Sequence, residues 1–299
     1  MVAQLNIENG TVSTDWARFS YPRLCGIIAG SPTKLSSAMH NTAFLAARVP
    51  FVFSAFAVSD PRKPLTAMRD LGMRGFCVTI PHKETVIPLL DLLTVEAKKI
   101  GAVNTVINTG NALVGENTDW LGIVDALAEQ HVPVRGKSVL IFGAGGAACA
   151  ALYALQQQGC TDLCLVNRTE DRAKALADRF GAKTLSVAEM RDRIYAMDID
   201  LFINSTPIGS HLHPDTGSAF GVALDRTTPP LGRAVFDMVT RDTPLLEHAR
   251  SQGSVVIPGL RMLLKQAVRQ FELFTEQEAP VAAMEEALRQ QIAGSSKQK

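Results

Sequence analysis

The chain has 299 residues, a length that allows about two domains. Its 30 lysine and arginine residues and 29 acidic residues give a formal net charge of +1, which excludes a general electrostatic attraction to nucleic acid or to an anionic membrane. Hydrophobic residues make up 46% of the chain and charged residues 20%, so the composition is globular rather than disordered.

The N-terminal segment and the cysteines predict a cytoplasmic protein. The first residues carry Glu8 and Asp15 and lack the apolar core of a signal peptide. The most apolar stretch, residues 49–59, contains Pro50 and is much shorter than the roughly 20 residues that span a bilayer. The 5 cysteines form no Cys-x-x-Cys pair, so we expect free thiols and no disulfide framework.

Short apolar runs alternate with longer amphipathic ones along the whole chain, which is typical of an α/β fold. Up to residue 137 the pattern predicts strands over 24–29, 52–58 and 75–80, helices over 36–47, 62–72 and 120–130, and a helix that begins at Pro81. Residues 103–107 and 112–116 are predicted to form a hairpin through Asn108-Thr109-Gly110-Asn111. The polar segment 131–137 marks a break, where we expect a change of domain.

The second half continues the same alternation. It predicts strands over 138–142, 163–166, 199–203 and 234–237 and a last strand at Val255 and Val256, with helices up to residue 158, over 170–180 and over 262–274. Residues 294–299 are expected to form a disordered tail.

A glycine-rich turn separates the strand over 138–142 from the helix that follows it. Gly143-Ala144-Gly145-Gly146-Ala147-Ala148 fits the pattern G-x-G-x-x-A, in which the first glycine permits a tight turn and the second lets the backbone approach a pyrophosphate. The phosphates would face the N-terminus of the helix. This position within a βαβ unit predicts dinucleotide binding, with a purely structural turn as the alternative.

The end of the next predicted strand indicates which dinucleotide binds. An NAD site places an acidic residue there, about 20 residues after the glycines, to bind the ribose 2′-hydroxyl. Here the strand ends in Asn167-Arg168-Thr169, with Arg172 one helical turn later. Two guanidinium groups suit a 2′-phosphate, so NADP is favoured, while Glu170 and Asp171 keep NAD as an alternative.

Further motifs occur in an order that resembles the shikimate dehydrogenase family. They are Gly30-Ser31-Pro32 with 36–41 (SSAMHN), 78–83 (VTIPHK), 102–105 (AVNT), 117–119 (NTD), 143–148 (GAGGAA), 167–169 (NRT), 204–206 (NST) and Gly259 with Gln266. The resemblance implies a Rossmann NAD(P)-binding domain over 119–258. It also implies a second α/β domain over 1–118 that binds substrate and is completed by the C-terminal helices of 259–299.

The resemblance also assigns catalytic roles to Lys83 and Asp119. We expect Lys83 to lie in the first turn of the helix that begins at Pro81, where the helix dipole and desolvation would lower the pKa of its ammonium group toward that of a general acid or base. Asp119 would accept a hydrogen bond from the substrate hydroxyl and orient Lys83, or would serve as the N-cap of the next helix. An ordinary exposed lysine is the alternative for Lys83.

The family's substrate and cofactor residues map onto specific positions of this chain. Thr79, Asn104 and Gln266 match residues that bind the substrate hydroxyls, whereas Ser36 and Lys34 are expected at the substrate carboxylate. The expected cofactor residues are Gly143, Ala144, Gly145, Gly146, Ala147, Asn167, Arg168, Thr169, Arg172, Thr206, Met238 and Gly259. The alternatives are a plain strand residue for Thr79, a surface amide for Gln266 and solvated arginines at 168 and 172.

The chain departs from the family pattern at several positions. Lys34 stands where a carboxylate-binding serine is expected, and Trp120, Thr240 and Arg261 replace two glycines and a tyrosine. These changes suggest the divergent shikimate dehydrogenase-like subgroup. Three histidines carry no predicted role: His82 is expected to face solvent, and His211 and His213, with Asp215 nearby, are expected to be solvated rather than to bind a metal.

The resemblance implies an NADP-dependent oxidoreductase of aromatic amino acid biosynthesis, with NAD possible as cofactor. It would reversibly oxidise the ring hydroxyl of shikimate to give 3-dehydroshikimate, or act on a related cyclic hydroxy acid such as quinate. The alternative is a non-catalytic regulatory protein that binds a dinucleotide or another ligand. We expect a monomer or homodimer whose partner is a small molecule, without nucleic acid, membrane or metal.

Overall fold

The computed structural model describes residues 5–7, 10–12, 23–211, 213–214, 220–221, 224–225 and 227–296. The chain forms two compact units, the first containing Met1–Thr118 and Gln266–Lys299 and the second Asp119–Lys265. Each unit has strands and helices arranged around its own six-stranded sheet, which confirms the predicted α/β class. No helix in the described part of the chain is both long enough and apolar enough to cross a membrane.

The elements before residue 119 belong to the first unit. Its strands are β1 (Leu5–Ile7), β2 (Gly10–Val12), β3 (Arg23–Ala29), β4 (Phe51–Ala57), β5 (Gly75–Val78), β6 (Leu92–Leu93), β7 (Thr105–Asn108) and β8 (Leu113–Glu116). Its helices are α1 (Lys34–Ala46), α2 (Arg62–Asp70) and α3 (Val95–Ile100), with a short 3-10 helix at Ile87–Leu89.

The remaining elements follow from residue 119 onward. The strands are β9 (Ser138–Phe142), β10 (Asp162–Val166), β11 (Lys183–Leu185), β12 (Leu201–Asn204), β13 (Ala234–Asp237) and β14 (Val255–Pro258). The helices are α4 (Asp119–Glu129), α5 (Gly146–Gln157), α6 (Glu170–Phe180), α7 (Val187–Arg193), α8 (Pro244–Ser251), α9 (Gly259–Thr275) and α10 (Val281–Ser296). Helix α9 passes from the second unit into the first at Gln266.

The first unit has a mixed sheet in the order β4-β3-β5-β7-β8-β6. Strands β3, β4 and β5 are parallel, whereas β7 pairs antiparallel with both β5 and β8. Because β7 runs the opposite way, its start and the end of β8 lie at the same end of the sheet as the carboxyl ends of β3 and β5. This end of the sheet therefore gathers segments that are far apart in the sequence.

The second unit has a parallel sheet in the order β11-β10-β9-β12-β13-β14. In chain order this is the arrangement 3-2-1-4-5-6 of the Rossmann fold, whose ligands bind where the strand order reverses, between β9 and β12. The four residues of β12 and the four of β13 are all buried, as expected for strands that are covered on both faces. The predicted Rossmann fold is thus confirmed.

Arg74 anchors the C-terminal end of α9 in the first unit. Its side chain is buried, and the guanidinium group donates to the backbone oxygens of Leu273 and Phe274, both at 2.9 Å, and of Asn108 at 3.0 Å. The carbonyls at the end of a helix lack partners within the helix, so the planar donor of Arg74 satisfies groups that would otherwise be buried without hydrogen bonds. The ring of Phe274 covers Gly75, where a Cβ atom would clash with it.

Two predicted elements are wrong. No α-helix begins at Pro81; the chain forms turns there, and Pro88 removes a backbone donor that such a helix would need. The backbone oxygen of Lys83 accepts from Val103 N at 2.7 Å, a long-range bond that replaces a helical one. Residues 294–296 continue α10 instead of forming a disordered tail, and residues 297–299 lie outside the described part.

Candidate functional site

Thr79, Lys83 and Asn104 lie together at the carboxyl end of β5 in the first unit. Val78 N donates to the backbone oxygen of Asn104 at 2.7 Å, and Thr79 N donates to Ile28 O of β3 at 3.2 Å. Lys83 is joined to the residue before Asn104 by its bond to Val103 N. These bonds are made by the backbone, so they hold the three segments in place whatever side chains they carry.

The turn that carries Lys83 is held by a buried histidine. His82 is 2% exposed, and its Nε2 lies 2.9 Å from the backbone oxygen of Val58. The prediction that His82 faces solvent is therefore wrong. Because no α-helix contains Lys83, the predicted influence of a helix dipole on this lysine is also wrong.

Asn104 and Gln266 form a direct pair of carboxamides. Asn104 Nδ2 donates to Gln266 Oε1 at 2.7 Å and to Thr118 Oγ1 at 2.9 Å, and Asn104 Oδ1 accepts from Thr118 N at 2.7 Å. Asn104 is 1% exposed. Gln266 is thus an anchored, partly buried amide rather than a solvated residue on a helix surface. The Gln266 amino group, a donor, is not used by this pair.

The other predicted residues of the first unit lie at the start of α1. The helix begins at Lys34, two residues earlier than predicted, with Thr33 as its N-cap. Ser36 is buried in the first turn, whereas Lys34 is exposed. The first turn of a helix presents N–H groups that suit an anion, so Ser36 is placed where it could assist in holding a carboxylate.

Asp119 is the first residue of α4 and of the second unit, directly after Thr118. The side chain is 1% exposed. An acidic residue in the first turn is stabilised by the helix dipole. Asp119 therefore lies one position inside the helix rather than at the predicted N-cap.

The glycine turn of the second unit has the geometry that a bound pyrophosphate requires. Gly143 has φ +120°, and a Cβ there would clash with the Ser205 side chain at the end of β12. Gly145 is the N-cap of α5 with no side-chain cap, and a Cβ there would meet nothing within 4 Å. The free N-terminus of α5 and the open face of Gly145 fit the phosphates of a dinucleotide, alongside Ala144, Gly146 and Ala147.

The predicted 2′-phosphate residues lie beside this turn. Gly143 N donates to Val166 O, the last residue of β10, at 2.8 Å. Asn167 then folds back, its Nδ2 donating to Thr169 O at 2.9 Å. Arg168, Thr169 and Arg172 are exposed at the start of α6. Both arginines thus follow the carboxyl end of β10 in the chain.

A buried network missed by the sequence analysis shapes the neighbouring loops. Asn204 at the end of β12 donates to Asp237 Oδ1 at 2.9 Å, and Thr243 Oγ1 donates to Asp237 Oδ2 at 2.6 Å. The oxygen of the Asn204 side chain accepts the Thr206 hydroxyl at 2.6 Å. The sequence did carry a signal for this network, because Asn204 and Asp237 are polar residues at the ends of two consecutive buried strands. The network sets the loop that holds Thr206 and the turn at Met238.

The structure accounts for two of the unusual residues, Arg261 and Trp120, without reference to a ligand, and for the glycine at 259. Arg261 makes a two-pronged ion pair with Glu129 of α4, Nε donating to Oε2 at 2.6 Å. Trp120 packs edge-on against Tyr153 of α5, with ring centroids 5.3 Å apart. Gly259 lies against the backbone of Met238, where a Cβ would be 2.5 Å from the carbonyl carbon. Nothing in the structure explains Thr240.

His40 and His211 contact other side chains, and the cysteines are free thiols. His40 is buried in α1 and stacks on Phe53 with ring centroids 4.4 Å apart, and burial lowers its pKa to about 4. His211 is exposed and its Nδ1 lies 3.1 Å from Arg241 Nη1. Asp215 lies outside the described residues. All five cysteines are free thiols, as predicted.

Comparison with known proteins identifies the family. Residues 28–106 match the domain described as "Shikimate dehydrogenase substrate binding domain", residues 126–212 match "Shikimate / quinate 5-dehydrogenase", and residues 259–289 match "Shikimate 5'-dehydrogenase C-terminal domain". A shikimate dehydrogenase (NADP(+)) of Moorella thermoacetica is 39% identical over 291 residues, which cover 91% of this chain and 95% of the relative. The chain belongs to the shikimate dehydrogenase family.

Solved structures of this family share the fold. Quinate dehydrogenase from Corynebacterium glutamicum, in complex with NAD, has a TM-score of 0.79 and 31% identity, covering 91% of this chain and 100% of that one. Shikimate 5-dehydrogenase from Thermus thermophilus, in complex with NADP(H) and shikimate, has a TM-score of 0.75 and 31% identity, covering 90% and 99%. These relatives support the catalytic prediction rather than the non-catalytic alternative.

Proposed function

We propose that the protein is an NADP-dependent shikimate dehydrogenase, which oxidises the ring hydroxyl of shikimate to give 3-dehydroshikimate and catalyses the reverse reduction. The observation that carries the proposal is the 39% identity to an NADP shikimate dehydrogenase over 95% of that relative's length. Quinate is the second substrate to test, since a quinate dehydrogenase has the same fold and 31% identity. The residues that follow β10 support NADP over NAD, because an NAD site has an acidic residue at the end of this strand and this chain has Arg168 and Arg172 there instead.

Residues of the first unit would recognise the substrate. Thr79, Asn104 and Gln266 supply neutral donors and acceptors for ring hydroxyls, and Ser36 and Lys34 supply a helix N-terminus and a cation for the carboxylate. The division into a substrate domain, 1–118 with 259–299, and a Rossmann domain, 119–258, belongs to this proposal; the second compact unit extends further along α9, to Lys265. It is supported by the two sheets and by the matched domain descriptions.

Residues of the glycine turn would hold the cofactor, assisted by Asn167, Thr169, Thr206, Met238 and Gly259. When bound, the oxidised cofactor would supply the acceptor for the hydride of the carbinol carbon. Lys83 would take the hydroxyl proton, assisted by Asp119, which would orient Lys83 and the substrate. A cytoplasmic location and an assembly state of monomer or homodimer complete the proposal; the five free thiols support a reducing compartment.

The test follows the absorbance of reduced nicotinamide with NADP or NAD against shikimate and quinate. We expect NADP reduction with shikimate, and a loss of about 10³-fold in kcat/KM for Lys83→Ala with NADP affinity unchanged. The exposed Lys99 on α3 provides the matched control, because Lys99→Ala removes a cation from the same unit. NADP binding without turnover of shikimate or quinate by the wild-type protein would contradict the proposal.

A further inference from the structure

Gln270 lies one helical turn after Gln266 on α9, and it is buried with 4% of its surface exposed. Its Nε2 donates to Thr105 Oγ1 at 3.0 Å and to the backbone oxygen of Asn104 at 3.5 Å. Its Oε1 accepts the thiol proton of Cys77, whose Sγ lies 3.1 Å away. The Thr105 hydroxyl and the Cys77 thiol can each donate or accept, whereas the backbone oxygen of Asn104 only accepts. The contact with that oxygen therefore places the amino group of Gln270 toward Asn104 and its oxygen toward Cys77.

The orientation passes from Gln270 to the predicted substrate residues. The Thr105 hydroxyl receives a hydrogen bond from Gln270, and its own proton goes to Asn104 Oδ1 at 2.9 Å. Thr118 N donates to the same oxygen at 2.7 Å, so Thr105 and Thr118 together hold Asn104 Oδ1 on this side. Asn104 Nδ2 then faces Gln266 Oε1 at 2.7 Å. Gln266 in turn has its oxygen directed at Asn104, which leaves its amino group for another partner.

We propose that Gln270 is a positioning residue for substrate recognition, acting through Thr105, alongside the Thr118 N–H, to hold the direction of the Asn104 and Gln266 carboxamides. The site then presents the Gln266 amino group to a hydroxyl oxygen of the substrate, since the two N–H groups of Asn104 are used by Gln266 and Thr118. The substrate roles of Asn104 and Gln266 rest on the proposed function, whereas the relay from Gln270 does not. In a buried network each hydrogen bond strengthens the next one, so removal of Gln270 loosens the hold on Asn104 and Gln266 even though Thr118 still bonds Asn104.

Steady-state kinetics with shikimate and NADP tests the relay. Gln270→Leu is expected to raise the KM for shikimate about tenfold, the effect of one lost or misdirected hydrogen bond, with the KM for NADP unchanged. Thr105→Val, which keeps the side-chain shape, should give a similar increase, and Thr105→Ser should restore the wild-type value. Since both residues act in one relay, the double variant should be no worse than either single one. Gln277→Leu, at an exposed glutamine beyond α9, is the control.

An unchanged KM for shikimate in Gln270→Leu and Thr105→Val would overturn the proposal. A KM in the double variant that is raised by the product of the two single increases would also overturn it. Side-chain amide NMR supplies a readout independent of turnover. The Asn104 carboxamide signal, assigned as the one lost in Asn104→Asp, should be protected from solvent exchange in the wild-type protein and lose that protection in Thr105→Val. If wild-type protein turns over neither shikimate nor quinate, the proposed function fails, and an unaltered Asn104 signal would still refute the relay.

Discussion

Replacing Glu116 with glutamine is expected to stabilise the protein above neutral pH and to have little effect in acid. Glu116 ends β8, and burial raises the pKa of its carboxyl group from 4.5 to about 7. Hydrogen bonds to Oε1 from Asn117 N at 2.8 Å and from the Thr94 hydroxyl at 3.2 Å act in the opposite direction. The nearby Glu96 carboxylate raises the pKa further.

The sign follows from proton linkage. Between pH 4.5 and about 7 the folded protein keeps a proton on Glu116 that the unfolded chain has lost. Its favourable contribution is complete below pH 4.5 and is lost as the pH rises through 7. At about 1.4 kcal/mol per pKa unit the shift corresponds to about 3 kcal/mol, which solvent screening of this partly exposed side chain reduces to about 2 kcal/mol.

Urea unfolding at a series of pH values measures the effect. The free energy of unfolding of Glu116→Gln should exceed that of the wild-type protein by about 2 kcal/mol at about pH 8, with the difference vanishing below pH 4.5. Glutamine keeps an oxygen that can accept from Asn117 N. Glu278→Gln, at an exposed position, is the control. A difference that does not change with pH, or a less stable variant at pH 8, would refute the reasoning.

Two further predictions concern the ion pair on α4 and the anchor of α9. A double-mutant cycle of Arg261→Ala and Glu129→Ala should give a coupling of about 1 kcal/mol in the free energy of unfolding. The KM values for NADP and shikimate should be unchanged in Arg261→Ala. A tenfold change in either KM would assign Arg261 to the ligand site. Arg74→Met should lower the free energy of unfolding in urea by about 3 kcal/mol, because buried carbonyls of α9 lose their donors, and Arg74→Lys should recover less than half of that loss. A loss below about 0.5 kcal/mol in Arg74→Met would show that water replaces the guanidinium group.

The sequence determined features that depend on neighbouring residues. The glycine turn, its flanking strand β9 and helix α5, and the arginines after β10 all lie within about 30 residues, the span of one βαβ unit. Their role in dinucleotide binding could therefore be predicted without the tertiary structure. The hairpin of β7 and β8 was predicted for the same reason, because its turn residues stand between two apolar runs.

Tertiary structure decided the features that depend on distant partners. Asn104 meets Gln266 across 162 positions of the chain, and Gln270 meets Thr105 across 165. The local sequence around Lys83 predicts a helix, but Val103 N–H donates to the Lys83 carbonyl oxygen that a helix would have used. Each of these outcomes depends on a hydrogen bond between segments that only the sheet of the first unit brings together. Local periodicity contains no information about such partners, whereas a buried polar group must find one.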